Sequence, residues 1–130
     1  PPPPPAETRV AGTGAVGLVS LDIDVASSLL GSLRVVDRNY MRSDGTPATA
    51  TVNRSADAAT DILSFQVISA GCVRVAGRAR MDTGELVDIV VDVCDNAASG
   101  SADTFVIGVP FYGYSVSGAI GSGNYAVSSP

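Results

Sequence analysis

The feature of this sequence that most constrains its fold is a pair of apolar stretches joined by Asp82-Thr83-Gly84. Residues 72–81 and 85–94 both place apolar side chains at every second position, which is the pattern of strands with one buried face. A three-residue loop ending in glycine suits a type I turn followed by a left-handed residue. The sequence therefore predicts an antiparallel hairpin over residues 72–94.

The predicted register of this hairpin follows from its loop, which places Met81 opposite Glu85. The complementary pairs that result are Arg78 with Asp88, Arg74 with Asp92, and Cys72 with Cys94. Cross-strand pairs of opposite charge stabilise a sheet by about 0.2–1 kcal/mol each. We expect a disulfide between Cys72 and Cys94, which contributes roughly 3 kcal/mol on the loop-entropy argument. The alternative is a bridge between cysteines of two subunits, whereas a catalytic redox pair is disfavoured because the spacing is unlike Cys-x-x-Cys.

Further short stretches with strand patterns occur along the chain, separated by glycine, aspartate and serine turns such as residues 43–45 and 121–124. The predicted strands outside the hairpin are residues 19–25, 32–37, 48–53, 63–68, 104–109, 112–120 and 125–127. Residues 56–63 allow at most one helical turn. Many short strands with such turns predict an all-β fold, an immunoglobulin-like antiparallel β-sandwich of about 7–9 strands.

Composition narrows the functions open to the chain. It has no histidine, and all eight basic residues are arginine. Ser-His-Asp, Cys-His and His-metal sites are therefore excluded, and lysine-based Schiff-base or isopeptide chemistry is excluded too. The net charge of −5 argues against nucleic acid as a partner. We find no apolar run of the ~18–20 residues that membrane insertion needs. We expect no enzyme activity, no cofactor and no metal.

One oxygen-rich cluster near the end of the hairpin is a weak candidate for calcium. Its members are Asp92, Asp95, Asn96 and Asp103. Asp92 is already assigned to Arg74, and Asp and Asn residues that flank a loop usually bond to their own backbone. We therefore assign no metal ligands.

The stretch from residue 93 to residue 127 resembles the C-terminal half of a bacterial secreted immunoglobulin-like module, the post-COAP domain. That family shows a strand ending in DNGEPGxGD, then TF with a strand, then GY, a further glycine and a GGN turn. The matching positions are Asp95-Asn96, Gly100, Asp103-Thr104-Phe105, Gly113-Tyr114, Gly118 and Gly121-Ser122-Gly123-Asn124. Ala97, Ala98, Ser99 and Ala102 depart from the family pattern in the loop, which loses an acidic residue. The resemblance implies a secreted accessory or surface module.

The N-terminal 17 residues differ in composition from the rest of the chain. Five prolines open the sequence, and their fixed φ favours a stiff polyproline II rod. Residues 11–17 are almost all small. We therefore predict an N-terminal arm or linker over residues 1–17 and a β-sandwich domain over residues 18–130. The arm residues expected to add a strand to a neighbour's sheet edge are Val10, Ala11, Gly12, Gly14 and Val16.

Two surface features remain as candidate modification sites. Asn53-Arg54-Ser55 matches the N-glycosylation sequon, so Asn53 is a candidate acceptor. The candidates for hydroxylation and glycosylation in the proline run are Pro1, Pro2, Pro3, Pro4 and Pro5.

An aromatic trio follows Pro110 and could stack on sugars. Strand alternation places Tyr112 and Tyr114 on one face and Phe111 on the other, so part of the trio is expected to be core.

These observations favour a structural subunit of an extracellular filament or surface fibre, assembling with copies of itself head-to-tail through the N-terminal arm. Abundant small residues, few charges and a single expected disulfide are similar to the composition of fimbrial subunits. The alternative is an immunoglobulin-like adhesion or carbohydrate-binding module, tethered to a larger secreted or surface protein by the proline run, with glycans as partners. Both place the protein outside the cell or on its surface.

Overall fold

Alternating apolar residues form strands along nearly all of the chain that the structure describes, which is residues 8–41, 47–53, 60–69, 71–82, 84–96 and 103–128 of a computed structural model. The strands are β1 (Arg9–Val16), β2 (Val19–Ala26), β3 (Gly31–Met41), β4 (Pro47–Asn53), β5 (Asp61–Ser69), β6 (Cys72–Met81), β7 (Leu86–Cys94), β8 (Thr104–Val109), β9 (Tyr114–Ala119) and β10 (Ser122–Ser128). One 3-10 turn, Pro110–Tyr112, separates β8 from β9. The all-β prediction is confirmed.

The ten strands form one antiparallel sheet in the order β10-β1-β2-β3-β4-β6-β7-β8-β9, with β5 also paired to β6. The sheet curls into a half-barrel shape, so the predicted arrangement as an immunoglobulin-like sandwich is not confirmed. The reason lies at β6. Its residues 80 and 81 pair with β4, whereas its residues 72–78 pair with β5, so backbone hydrogen bonds join the two halves of the sheet. Sequence patterns do not reveal such a long-range join.

The core lies on the concave side of the curled sheet. It is built from aliphatic side chains of most strands and from two aromatic rings, Phe105 and Tyr125, which meet edge to face at 6.4 Å between centroids. Tyr125 is fully buried, and its hydroxyl donates to the carbonyl oxygen of Leu21 at 2.7 Å. Burial, followed by the charges of Asp22 and Asp103, raises the pKa of the Tyr125 phenol above its ordinary value.

The predicted hairpin is present with its predicted register. Cys72 lies opposite Cys94, and Arg74 and Arg78 lie opposite Asp92 and Asp88. The core face of the hairpin is also as predicted, since Val73, Val75, Ala79, Val87, Ile89, Val91 and Val93 are buried.

The N-terminal prediction is wrong from residue 9 onward. Residues 9–16 form β1, which pairs with β2 on one side and with β10 on the other, all within one chain. Val10 is fully buried in the core. Two glycines allow this close packing. Gly12 has φ +143° and touches the backbone of Asn124, and Gly14 lies under the ring of Tyr125. Residues 9–16 therefore belong to the same sheet as β2 and β10, and residues 1–7 lie outside the described residues.

Three further predictions of local structure need correction. The predicted turn at residues 121–124 is in fact the start of β10, since Gly123 and Asn124 pair with β1. The predicted strand at residues 112–120 begins only at Tyr114, after the 3-10 turn. Residues 61–63, where a helical turn was allowed, belong to β5; residues 56–59 lie outside the described part of the chain.

Candidate interaction site at the sheet edges

The assembly-arm residues predicted from the sequence do not form a free strand. Val10, Ala11, Gly12, Gly14 and Val16 all pair with β2. β1 therefore already has a neighbour on each side within its own chain, and a free edge for another molecule has to be sought elsewhere.

The sheet has such an edge at β5. β4 and β5 lie one after the other on the same side of β6, because β7 occupies the opposite side of β6 along its whole length. No described strand pairs with the outer side of β5. Unpaired backbone groups on an edge strand can accept a strand from another molecule. β5 is therefore a candidate site for strand addition.

The side chains of β5 reinforce this interpretation. Phe65 and Val67 lie opposite Val75 and Val73 of β6, which are fully buried. The core face of the sheet thus continues onto β5, yet Val67 is 56% exposed there and Phe65 only half-buried. Leu63 is also exposed. Contiguous exposed apolar side chains of this kind are typical of interaction surfaces.

Two irregularities define the regular part of this edge. The β5–β6 register shifts between Ile62 and Ser64 and again between Val67 and Ser69. Each shift leaves one extra residue in β5, which is the signature of a β-bulge. Residues 64–67 between the bulges form the regular segment available to a partner strand.

The edge at β10 differs because two carboxylates accept hydrogen bonds from N–H groups on its outward side. The N–H of Tyr125 donates to Oδ2 of Asp103 at 3.0 Å, and the N–H of Val127 donates to Oδ2 of Asp95 at 3.2 Å. Asp103 is fully buried and also accepts from the N–H of Asn96 at 2.8 Å. Backbone donors satisfied in this way are not open to a partner strand.

These same contacts account for the oxygen-rich cluster of the sequence. Asp103 and Asp95 hold the backbone of β10, and Asp92 forms two hydrogen bonds with the Arg74 guanidinium, at 2.8 and 3.0 Å. The hydrogen bond and the charge of Asp92 raise the pKa of Arg74. Among the residues that the structure describes, no three His, Cys, Asp or Glu side chains are grouped as metal ligands would be.

The structure places an exposed aromatic pair at the 3-10 turn. Phe111 is 72% exposed and Tyr112 is 46% exposed. Their ring centroids lie 5.0 Å apart at an interplanar angle of 85°. The Tyr112 hydroxyl donates to Oε2 of Glu85 at 2.9 Å, which fixes that ring. Strand alternation predicted Tyr112 and Phe111 on opposite faces. That prediction is wrong because the 3-10 turn interrupts the strand.

Tyr114 lies apart from the Phe111–Tyr112 pair. It is half-buried, packs against the core and donates its hydroxyl hydrogen bond to Asp37 of β3. The expectation that part of the aromatic trio is core is therefore confirmed for Tyr114. The sequence did not indicate which two rings would stay together on the surface, since that depends on Gly113, whose φ of +63° ends the 3-10 turn.

The remaining predicted residues are placed as follows. The structure contains a disulfide between Cys72 and Cys94 within one chain. Asn53 is the last residue of β4 and pairs with Ser32, whereas the other two residues of its sequon lie outside the described residues. Pro1, Pro2, Pro3, Pro4 and Pro5 also lie outside them. Within the described part of the chain, no helix is long and apolar enough to cross a bilayer.

Comparison with protein-family models, curated proteins and solved structures gives no match to this chain. The resemblance to post-COAP domains stays a prediction, and one of its positions, Gly100, lies outside the described residues.

Proposed function

We propose that the protein is a structural subunit of an extracellular filament or surface fibre, and that its copies associate through the edge of β5. The observation that carries this proposal is the apolar edge of β5, beside which no described strand lies, in contrast to the carboxylate-capped edge of β10. The disulfide is compatible with an oxidising location outside the cell. This contact replaces the predicted donation of residues 10–16 to a neighbour.

The sequence of β5 suits pairing with a second copy of itself. An antiparallel pair centred on Phe65 places Phe65 opposite its copy and Ser64 opposite Gln66. No charged residue lies between positions 62 and 69, so no like charges face each other at this contact. The net charge of −5 repels the two molecules at long range, and salt screens that repulsion. We therefore expect association to increase with ionic strength.

The test compares two valine-to-lysine variants of the full chain. Val67→Lys places a charge on the β5 edge. Val106→Lys is the matched control, because Val106 is 41% exposed in β8 and both neighbours of β8 are already paired. Sedimentation velocity over a concentration series measures association, and negative-stain imaging detects fibres. We expect Val67→Lys, which disrupts the β5 contact, to associate more weakly than wild type and Val106→Lys. Equal association of both variants, or a monomeric wild type at millimolar concentration, refutes the proposal.

The exposed Phe111–Tyr112 pair favours a second candidate function, an immunoglobulin-like adhesion or carbohydrate-binding module. Exposed aromatic side chains are enriched where proteins bind partners. Binding of the wild-type monomer to a glycan array, lost in Phe111→Ala, would support this candidate. Wild-type protein that forms fibres and binds no glycan would favour the structural subunit.

A further inference from the structure

The aromatic pair and the start of β1 lie at opposite ends of β7. Tyr112 is bonded to Glu85, the residue just before β7. At the other end, Asp95 follows β7 and accepts from the N–H of Val127, which pairs with Val10 of β1. The nine residues of β7 span roughly 30 Å at about 3.3 Å per residue. The first described residue, Thr8, is thus far from Tyr112.

The proline run of the same chain is too short to close this distance. Residues 1–7 precede Thr8, and seven residues span at most about 25 Å even when fully extended. Since the prolines occupy positions 1–5, they stay within that reach of Thr8 whatever precedes them. The aromatic pair of another molecule is therefore the better-placed partner for the prolines.

The shape of the aromatic pair suits a polyproline helix. Two rings that meet at 85° form a corner instead of a flat platform. A polyproline II helix has three residues per turn and hence a triangular cross-section, so one of its ridges fits such a corner. Aromatic-lined grooves recognise proline-rich segments in this manner, at low entropic cost because the helix is preformed. A flat sugar ring, in contrast, stacks on a single ring face.

We propose that Pro1–Pro5 of one copy docks on Phe111 and Tyr112 of a second copy. This inference deepens the proposed filament function and rests on it. The contact joins two different surfaces, so it adds copies head-to-tail. Pairing at β5, in contrast, joins the same surface of two copies and stops at a dimer. The two contacts together extend a fibre.

The test is a titration that does not require fibres. A synthetic peptide with the sequence of residues 1–8 is added to dilute, isotope-labelled full-length protein, and the ring resonances of Phe111 and Tyr112 are followed by NMR. The control peptide carries alanine at the five proline positions. We expect saturable shifts of both rings with the proline peptide, and none with the alanine peptide.

Two variants of the full chain complete the titration. Phe111→Ala should weaken peptide binding by about tenfold or more, since it removes the more exposed of the two rings. Leu30→Ala changes another exposed apolar residue, which lies in the β2–β3 turn, and should leave binding unchanged. Absence of saturable shifts, equal response to the alanine peptide, or full binding by Phe111→Ala overturns the inference. Saturation by an oligosaccharide without response to the peptide also overturns it and favours the carbohydrate-binding candidate.

Assembly measurements separate this inference from the proposed function. We expect Phe111→Ala to form dimers through β5 but no fibres. If Phe111→Ala forms fibres like wild type, the docking of the proline run is wrong while the filament function stands. If wild type binds the proline peptide and forms short head-to-tail oligomers but no fibres, the filament function is wrong while the docking site stands.

Discussion

The buried carboxylate of Asp103 accepts a hydrogen bond from the backbone N–H of Tyr125, at 3.0 Å and across 22 residues of sequence. The bond lies on the outward side of β10, where the sheet would otherwise present a free donor to another molecule. The outward side of β5 has no described strand beside it and carries exposed apolar side chains. The edge at β10 is thus protected, whereas no described strand pairs with the outer side of β5, which favours association at β5.

Asp103→Ala tests how much the hydrogen bonds accepted by Asp103 stabilise the fold. It leaves the N–H groups of Tyr125 and Asn96 without their carboxylate partner, and hydrogen bonds to a charged group contribute about 1.5–3 kcal/mol each. We expect a loss of about 3 kcal/mol in the free energy of unfolding, measured by urea titration. Asp95→Ala is the control, since its bond to Val127 is longer and only partly buried, and should cost about 1 kcal/mol. Equal, small losses in both variants would show that the Asp103 hydrogen bonds contribute little to the free energy of unfolding.

The pair formed by Arg74 and Asp92 should behave as a coupled unit. Exchanging the two residues together should preserve more stability than the two single reversals predict, with a small coupling because Arg74 is largely exposed. The measurement is a double-mutant cycle by urea unfolding. The control cycle pairs Arg74 with Asp88, which lies opposite Arg78, and should show no coupling. Equal coupling in both cycles would contradict a specific pair.

The β6–β7 hairpin was predictable because its information is local. A three-residue loop sets the register, and the pairs Arg74–Asp92 and Cys72–Cys94 then follow from counting residues. Each of these features lies within 23 consecutive residues. The same reasoning places the valines of both strands on the core face. Local turn chemistry and alternation were sufficient here.

The pairing of β1 within its own chain was missed because one of its partner strands, β10, lies far away in the sequence. Ala11, Gly12 and Gly14 lack the bulky alternation that marks a strand, and read locally they indicate a flexible arm. In the fold, small residues are needed there because β10 and the Tyr125 ring pack directly against them. The exposed edge of β5 and the Phe111–Tyr112 corner were missed for the same reason, since both depend on which distant strands are neighbours.

Gly12→Ala tests the placement of β1. A Cβ at position 12 would lie 2.1 Å from the carbonyl oxygen of Asn124, on a backbone with φ +143°. We expect a loss of at least about 3 kcal/mol, because the backbone must shift. Gly84→Ala also has positive φ but faces open space, so it should cost about 1 kcal/mol. The midpoint of thermal unfolding measures both. An unchanged midpoint in Gly12→Ala would mean that residues 9–16 are a free arm after all.

The buried phenol of Tyr125 should make stability depend on alkaline pH. Burial raises the pKa of Tyr125 in the folded state, and the carboxylates of Asp22 and Asp103 raise it further. The unfolded chain ionises at a pKa of about 10. Below that pH both states hold the proton, and the stabilisation is fully present. Above it the unfolded state loses its proton first, so the free energy of unfolding falls as the pH rises toward the folded-state pKa.

Tyr125→Phe separates this effect from other alkaline titrations. At pH 8 the variant loses the hydrogen bond to the Leu21 carbonyl, which should cost about 1 kcal/mol. The variant has no phenol to ionise at this position, so its stability should fall less steeply above pH 10. Urea unfolding of both proteins at pH 8, 10 and 11 therefore should show the wild-type advantage shrinking as the pH rises. A constant difference across this range would mean that the folded protein does not hold the Tyr125 proton more tightly than the unfolded chain.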